Sequence, residues 1–264
     1  MNDEYGASSV PGVPARRRRM RRTIFILPSL FTVGNIFCGY FAIISTMRGH
    51  YDAAAQAIGI AIVLDILDGR IARMANAATD FGLQLDSLAD VISFGVPPSV
   101  LAYFWGLEDL NHRLGWIATF TFTICGAMRL ARFNVQAGGL KHFLGLPIPA
   151  GGGTIAAIVH FFGDPLKDRI AATLLMGCVF ALALLMVSTL RYSSLKNLTL
   201  GRKSHLTILG IALVLLLVVF YSRWSLLILA ATYVLSGVAQ KVYSALRHKK
   251  PGDELQLSEP LEHH

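Results

Sequence analysis

Hydrophobic positions run in long blocks along this chain, separated by short polar or charged breaks. Blocks of roughly 20 residues, enough for a helix to cross a bilayer core, occur at 24–46, 53–75, 87–106, 114–136, 147–163, 168–190, 205–222 and 224–243. The pattern predicts an all-α polytopic membrane helix bundle with about eight transmembrane helices. The fifth block is the weakest, because Pro147, Pro149 and the run Gly151-Gly152-Gly153 interrupt its start. Pro28 falls near the start of the first block, where a missing backbone N–H is tolerated.

The polar ends set the domain limits. Residues 1–22 read as a disordered basic N-terminus, 23–246 as one membrane domain, and 247–264 as a flexible tail. The last four residues resemble the start of a histidine tag. Composition agrees with a membrane assignment: 54% of the 264 residues are hydrophobic and 15% are charged, against about 25% charged in soluble domains. The first block follows a basic segment, as in a signal peptide, but it is too long and lacks a small-residue cleavage site, so a retained helix is expected.

A net charge of +8 invites a nucleic-acid reading, which the placement of the charges opposes. With the N-terminus in the cytoplasm and the sides alternating, 19 Lys and Arg fall on the cytoplasmic side and five on the other. The positive-inside rule selects this orientation, with both termini cytoplasmic. The run Arg16 to Arg22 then lies on anionic headgroups. Cys38, Cys125 and Cys178 all sit in apolar blocks without a CxxC spacing, so no disulfide framework is expected.

Five acids stand out where the second and third blocks meet: Asp65, Asp68, Asp80, Asp86 and Asp90. Acids in apolar helices are costly and mark functional sites. Asp65 and Asp68 are spaced i, i+3, and Asp86 and Asp90 i, i+4, so each pair shares a helix face. A short link from Asn76 to Phe81 makes the two helices antiparallel neighbours, and the four carboxylates converge near the cytoplasmic boundary. Asp80 lacks this register and reads as a solvated loop charge. Alone, four clustered carboxylates repel one another. Divalent cations remove that repulsion, and oxygen-only donors suit Mg²⁺ or Mn²⁺, with Ca²⁺ as competitor. Gly69 and Gly82 offer places without side chains, open either to close helix packing or to a phosphate. Arg73 reads as a phosphate contact or as a snorkelling topology charge.

The pattern Asp65-x2-Asp68-Gly69-x2-Ala72-Arg73-x8-Gly82-x3-Asp86-x3-Asp90 resembles the signature of the CDP-alcohol phosphotransferases. The resemblance implies a metal-dependent membrane enzyme in which an alcohol displaces CMP from a CDP-linked donor. It implies that Asp65, Asp68, Asp86 and Asp90 hold one or two Mg²⁺ or Mn²⁺ ions, that Asp90 is also the general base, and that Gly69, Arg73 and Gly82 line the CDP-diphosphate site.

Three further stretches bear on the acceptor alcohol: Pro28 to Gly39, containing Thr32 and Asn35; Met128 to Asn134; and Gly145 to Gly151. Together they resemble the bacterial and archaeal phosphatidylserine synthase branch, with weaker support from Ser188 to Lys196. This implies transfer of the phosphatidyl group from CDP-diacylglycerol to the L-serine hydroxyl, in the cell membrane, by a homodimer. Arg129 and Arg132, spaced i, i+3, suit the serine carboxylate, with topology enforcement or a donor-phosphate contact as other readings. The serine ammonium needs an acceptor, for which Asn134 or a backbone carbonyl is suited. Asn35 reads as a cytidine or serine contact or as an interhelical bond. Thr32 reads as a nucleotide-site residue or as a backbone-bonded threonine. Tyr192, Ser193 and Lys196 read as bordering the acceptor pocket, with headgroup anchoring as the preferred reading of Tyr192, and His160 reads as structural. Two rival functions remain at this point: the same chemistry with glycerol 3-phosphate or inositol phosphate, and a cation or proton-coupled transporter.

Overall fold

The computed structural model describes residues 15–74, 80–136, 145–190 and 222–247. Within these ranges, side chains at 15–29, 70–74, 80, 136, 222, 238 and 240–247 are not described. Among the described residues the regular structure is entirely helical: α1 (Ala15–Met47), α2 (Tyr51–Met74), α3 (Asp80–Asp90), α4 (Val96–Ala102), α5 (His112–Gln136), α6 (Ile148–Phe162), α7 (Arg169–Val187) and α8 (Ser222–Arg247). Two π-helical turns, Val91–Gly95 and Tyr103–Leu107, make α3 and α4 parts of one helical run.

Four segments are long and apolar enough to cross a membrane: Leu30–Met47, Phe81–Leu107, His112–Val135 and Arg169–Val187. Ile148–Phe162 and Arg223–Gly237 are shorter apolar helices. The protein is a helical membrane protein. The block expected at 53–75 forms α2, which has spanning length but carries Asp52, Asp65 and Asp68. The weak fifth block becomes the 15-residue α6, about 22 Å long at 1.5 Å per residue, shorter than the hydrocarbon core of about 30 Å. Its start is set at Pro147, whose extended backbone lets α6 begin with Ile148 and Pro149 in the first turn. The block expected at 205–222 lies outside the described residues, save for Ser222 at the head of α8.

Three local expectations change. The helix α1 begins at Ala15, so the basic run Arg16 to Arg22 is helical rather than disordered. Arginine is a good helix former and extends the apolar helix behind it. Pro28 is therefore interior to α1, not near its start. Asp80 opens α3 instead of lying in a loop, where an acid complements the positive end of the helix dipole.

Helix α6 fills the middle of the bundle, packed against α2, α4, α7 and α8. Its glycines make that possible. A Cβ on Gly151 would strike Met186 Cε at 2.2 Å, and one on Gly152 would lie 2.7 Å from the Phe94 carbonyl oxygen. The apolar core gathers Phe94, Leu101, Trp105, Phe122, Leu146, Ile148, Ile155 and Met186 around this helix. Gly145, at φ +80°, leads into it. Its N–H donates to the Leu190 carbonyl at 2.9 Å, and the Leu146 N–H to that of Leu185 at 3.0 Å. These bonds fasten the loop before α6 to the C-terminal end of α7. The three cysteines carry free thiols, as expected.

Candidate active site

The motif acids occupy the end of α2 and the whole of α3. Asp65 and Asp86 are half-buried, and Asp68 is only 5% exposed. The Asp65 and Asp90 side chains are in hydrogen-bonding contact, and Asp86 lies within electrostatic reach of Asp90. The two helices thus bring carboxylates from both halves of the motif together. Two ionised carboxylates share such a contact only with a proton or a cation between them. Asp90 Oδ1 is sealed from solvent and has no hydrogen-bond partner, an unusual state for a buried acceptor.

Asp68 is engaged by α1, where Thr32 donates its hydroxyl hydrogen to Asp68 Oδ2. Thr32 therefore bonds across helices to a motif acid. Among the described residues, no three of His, Cys, Asp or Glu gather into one closed ligand group. The donor set fits a hard divalent cation in kind, being oxygen-only. In position, Asp65 and Asp86 each lie within electrostatic reach of Asp90, and Asp68 accepts from Thr32.

The turn after Asp90 fixes how α3 is aimed. Val91–Gly95 is π-helical, with the Val96 N–H reaching back to the Val91 carbonyl. Pro97 and Pro98 follow directly. Neither has an N–H to offer Ser93 or Phe94, so the regular α ladder cannot run through this point. Helix α1 holds the turn in place. Ser93 Oγ donates to the Asn35 carbonyl oxygen at 3.0 Å, and a Cβ on Gly39 would lie 2.8 Å from Ser93 Cα. From α5, Thr123 Oγ1 donates to the Gly95 carbonyl at 3.2 Å. Asn35 itself is 2% exposed, and its Oδ1 is buried without a partner.

Helix α5 supplies the cationic side. Arg129 is buried and lies within electrostatic reach of Asp90, Arg132 and Tyr233 of α8. Its Nε has no partner. Arg132 Nη1 donates to the Val187 carbonyl at 3.4 Å, at the C-terminal end of α7, while its Nη2 is buried and unpartnered. A cation at a helix C-terminus is favourable. Asn134 forms an interhelical pair: its Nδ2 donates to Ser87 Oγ at 3.0 Å.

Thr32, Asn35, Asp65, Asp68, Asp86, Asp90, Arg129 and Asn134 thus belong to one linked region. Gly69 and Gly82 lie on α2 and α3 beside the acids. Arg73 is on α2, with its side chain outside the description. Tyr192, Ser193 and Lys196 also lie outside the described residues. His160 sits away from this region, where its Nδ1 is 2.6 Å from Asp52 Oδ1 near the other end of α2. Sequence reasoning missed Ser87, Ser93 and Tyr233. Single serines and a tyrosine in apolar helices carry no spacing signal. Ser93 alone was findable, since it precedes a double proline that must disturb the helix.

Comparison with known proteins shows the family. The CDP-alcohol phosphatidyltransferase family matches residues 25–189. A CDP-diacylglycerol–serine O-phosphatidyltransferase of Helicobacter pylori is 33% identical over 229 residues, covering 83% of this chain and 92% of its own. One of the same name from Bacillus subtilis is 37% identical over 181 residues, covering 67% and 97%. An archaetidylserine synthase of Methanothermobacter thermautotrophicus is 37% identical over 175 residues, covering 64% and 71%. The match spans α1 to α7 and takes in every motif acid, so the chain belongs to the CDP-alcohol phosphatidyltransferase family.

Proposed function

We propose that this protein is a CDP-diacylglycerol–serine O-phosphatidyltransferase, which moves a phosphatidyl group to the L-serine hydroxyl and releases CMP. The observation that carries this reading is the meeting of Asp65, Asp90 and Arg129. A carboxylate with an unpartnered buried oxygen stands within reach of a buried cation. Such a pair can take a proton from an amino-acid alcohol while binding its carboxylate. The names of the relatives from Helicobacter pylori and Bacillus subtilis support serine as the acceptor.

In this reading Asp90 accepts the proton of the serine hydroxyl, and the oxygen attacks the phosphorus on the lipid side of the diphosphate. Arg129 and Arg132 bind the serine carboxylate in a forked geometry. Asn134 holds α5 to α3 through Ser87, and it takes a positioning role in place of a direct contact with the serine ammonium. Thr32 orients Asp68. Asn35 offers its unpartnered Oδ1 to the amino group of cytosine. Gly69, Arg73 and Gly82 line the diphosphate side. One or two Mg²⁺ or Mn²⁺ ions, held by Asp65, Asp68, Asp86 and Asp90, would neutralise the diphosphate and the charge of the departing CMP.

The same reading sets the protein in the cell membrane as a bundle of about eight spans over residues 23–246. Flanking segments 1–22 and 247–264 and the site face the cytoplasm, where CMP can leave by water. A homodimer is part of the reading, and nucleic acid is not. The test is CMP release by purified protein given CDP-diacylglycerol, Mn²⁺ or Mg²⁺, and labelled serine, with glycerol 3-phosphate and inositol phosphate in parallel. A labelled serine lipid, lost with EDTA and restored by metal, is expected. CMP release with another acceptor alone rejects serine, and no CMP release from folded protein rejects the enzyme in favour of a transporter.

A further inference from the structure

Thr46, Thr121, Thr154 and Thr173 each turn their hydroxyl back on their own helix, to the carbonyl four residues earlier. That is a common outlet for a hydroxyl in an apolar helix. Ser93 does otherwise. It is fully buried, and its Oγ donates across to α1, to the Asn35 carbonyl oxygen at 3.0 Å. Within the continuous helix α1 that carbonyl already serves the ladder through the N–H four residues on, so the backbone of α1 does not need the second bond. The approach is close. A Cβ on Gly39, one turn further along α1, would meet both Ser93 Cα and Ser93 Oγ at 2.8 Å. The residue that receives the bond is also the one with an open acceptor: Asn35 Oδ1 is buried and has no donor, a rare state for a buried amide oxygen. Ser93 itself stands three residues after Asp90, whose Oδ1 is equally buried and unpartnered.

We propose that Ser93 is a positioning residue that fixes Asn35 for the amino group of cytosine, so that nucleobase selection is tied to the turn that follows Asp90. The inference rests on the cytosine contact given to Asn35 above. A donor headed by uracil carries the same phosphates, with a carbonyl where cytosine has its amino group. It brings an acceptor to Asn35 Oδ1 in place of a donor, and a site built around one hydrogen bond rejects a ligand that cannot make it. That rejection holds only while the amide cannot turn over and present its NH2 group instead. Without the Ser93 hydroxyl, α1 keeps its ladder and its contact at Gly39 but loses the tether at Asn35, and the amide is free to serve either base.

The experiment is steady-state release of CMP or UMP by the full chain, given CDP-diacylglycerol or UDP-diacylglycerol with serine and Mn²⁺. Preference is read as the ratio of the two kcat/KM values. In Ser93→Ala the preference for the cytosine donor should fall about three- to tenfold, the usual contribution of one hydrogen bond. The KM for serine should stay unchanged, because Thr123 still holds the turn to α5. Asn35→Ala should abolish the preference, and adding Ser93→Ala to it should change the ratio no further, since both act through one contact. A melting temperature near wild type in Ser93→Ala separates the loss from a folding defect. Equal slowing of both donors in Ser93→Ala, or an unchanged preference there while Asn35→Ala loses it, overturns the proposal and leaves the Asn35 contact standing. If the wild type shows no preference, or Asn35→Ala keeps it, the cytosine contact fails and the proposal with it. If neither donor yields a nucleotide, the enzyme reading fails as well.

Discussion

Asn134 Nδ2 donates to Ser87 Oγ at 3.0 Å, and this bond joins the last turns of α5 to the helix between Asp86 and Asp90. The arginines and the motif acids stand on different helices, and this bond links those helices directly. Asn134→Ala should raise the KM for serine and lower kcat together, each by several-fold. A partly buried hydrogen bond of this kind is worth about 1 kcal/mol net, so the melting temperature in detergent should fall by only a few degrees. Ser87→Ala should produce the same changes, and the double variant no more than either single one, because both remove one interaction.

Thr32 should matter through its hydroxyl alone. Thr32→Ser keeps the donor to Asp68, and activity should stay near wild type. Thr32→Val keeps the shape and leaves a buried carboxylate short of a partner, at a cost of about 1–3 kcal/mol. The concentration of Mn²⁺ or Mg²⁺ needed for half activity should move in the valine variant, and CMP release measured across a metal titration reads it.

Gly39 packs where only hydrogen fits. A Cβ there would lie 2.8 Å from Ser93 Cα and 3.0 Å from the Ile92 carbonyl oxygen, and both are backbone atoms that cannot rotate away. Gly39→Ala must push α1 off the π turn or shift the turn itself. Misplacing catalytic groups by about 1 Å can cost on the order of 10²-fold in rate. The expected result is a large loss of kcat in protein that still extracts and folds as a monodisperse species. Gly59, whose Cβ would meet nothing within 4 Å, should accept alanine with activity intact.

Asp90→Asn removes the base and keeps the shape. CMP release should fall by about 10²- to 10⁴-fold, the usual worth of general-base catalysis. Binding of CDP-diacylglycerol, measured directly by a shift in melting temperature, should persist, because Asp65, Asp68 and Asp86 remain.

Much of the site was legible in the chain because chemistry demanded residues that membrane helices otherwise avoid. Four acids at spacings of three and four predicted shared faces, and Asp65 does meet Asp90 across two helices. Arg129, an unusual charge in an apolar block, does come near Asp90. The lengths and boundaries were less legible. Hydropathy saw a block at 147–163, but Pro147 delays the helix to Ile148 and the glycines serve packing against Met186 and Phe94. Asp80 read as a loop charge because its register is out of step with the other acids, although the same residue suits a helix start. Tyr233 was invisible because its partly buried place comes from how α8 packs on α6, a long-range fact that no local pattern encodes. The π turn after Asp90 went unread, although Pro97 and Pro98, which lack the N–H groups the ladder needs, carry its signal.

That turn acts as a phase shifter. A π turn holds one residue more than the α turn it replaces, so the helix after it is rotated by about 100°, one residue's step, relative to an unbroken helix. Asp90 meets Asp65 of α2, while Phe94, Leu101 and Trp105, beyond Asp90, are aimed into the core around α6. One helical run can therefore serve two partners that do not lie along a common stripe. The length of the 91–95 segment is constrained more tightly than its composition. Substitutions there change packing, whereas deleting one residue would turn the acids off their target while leaving every one of them in the sequence.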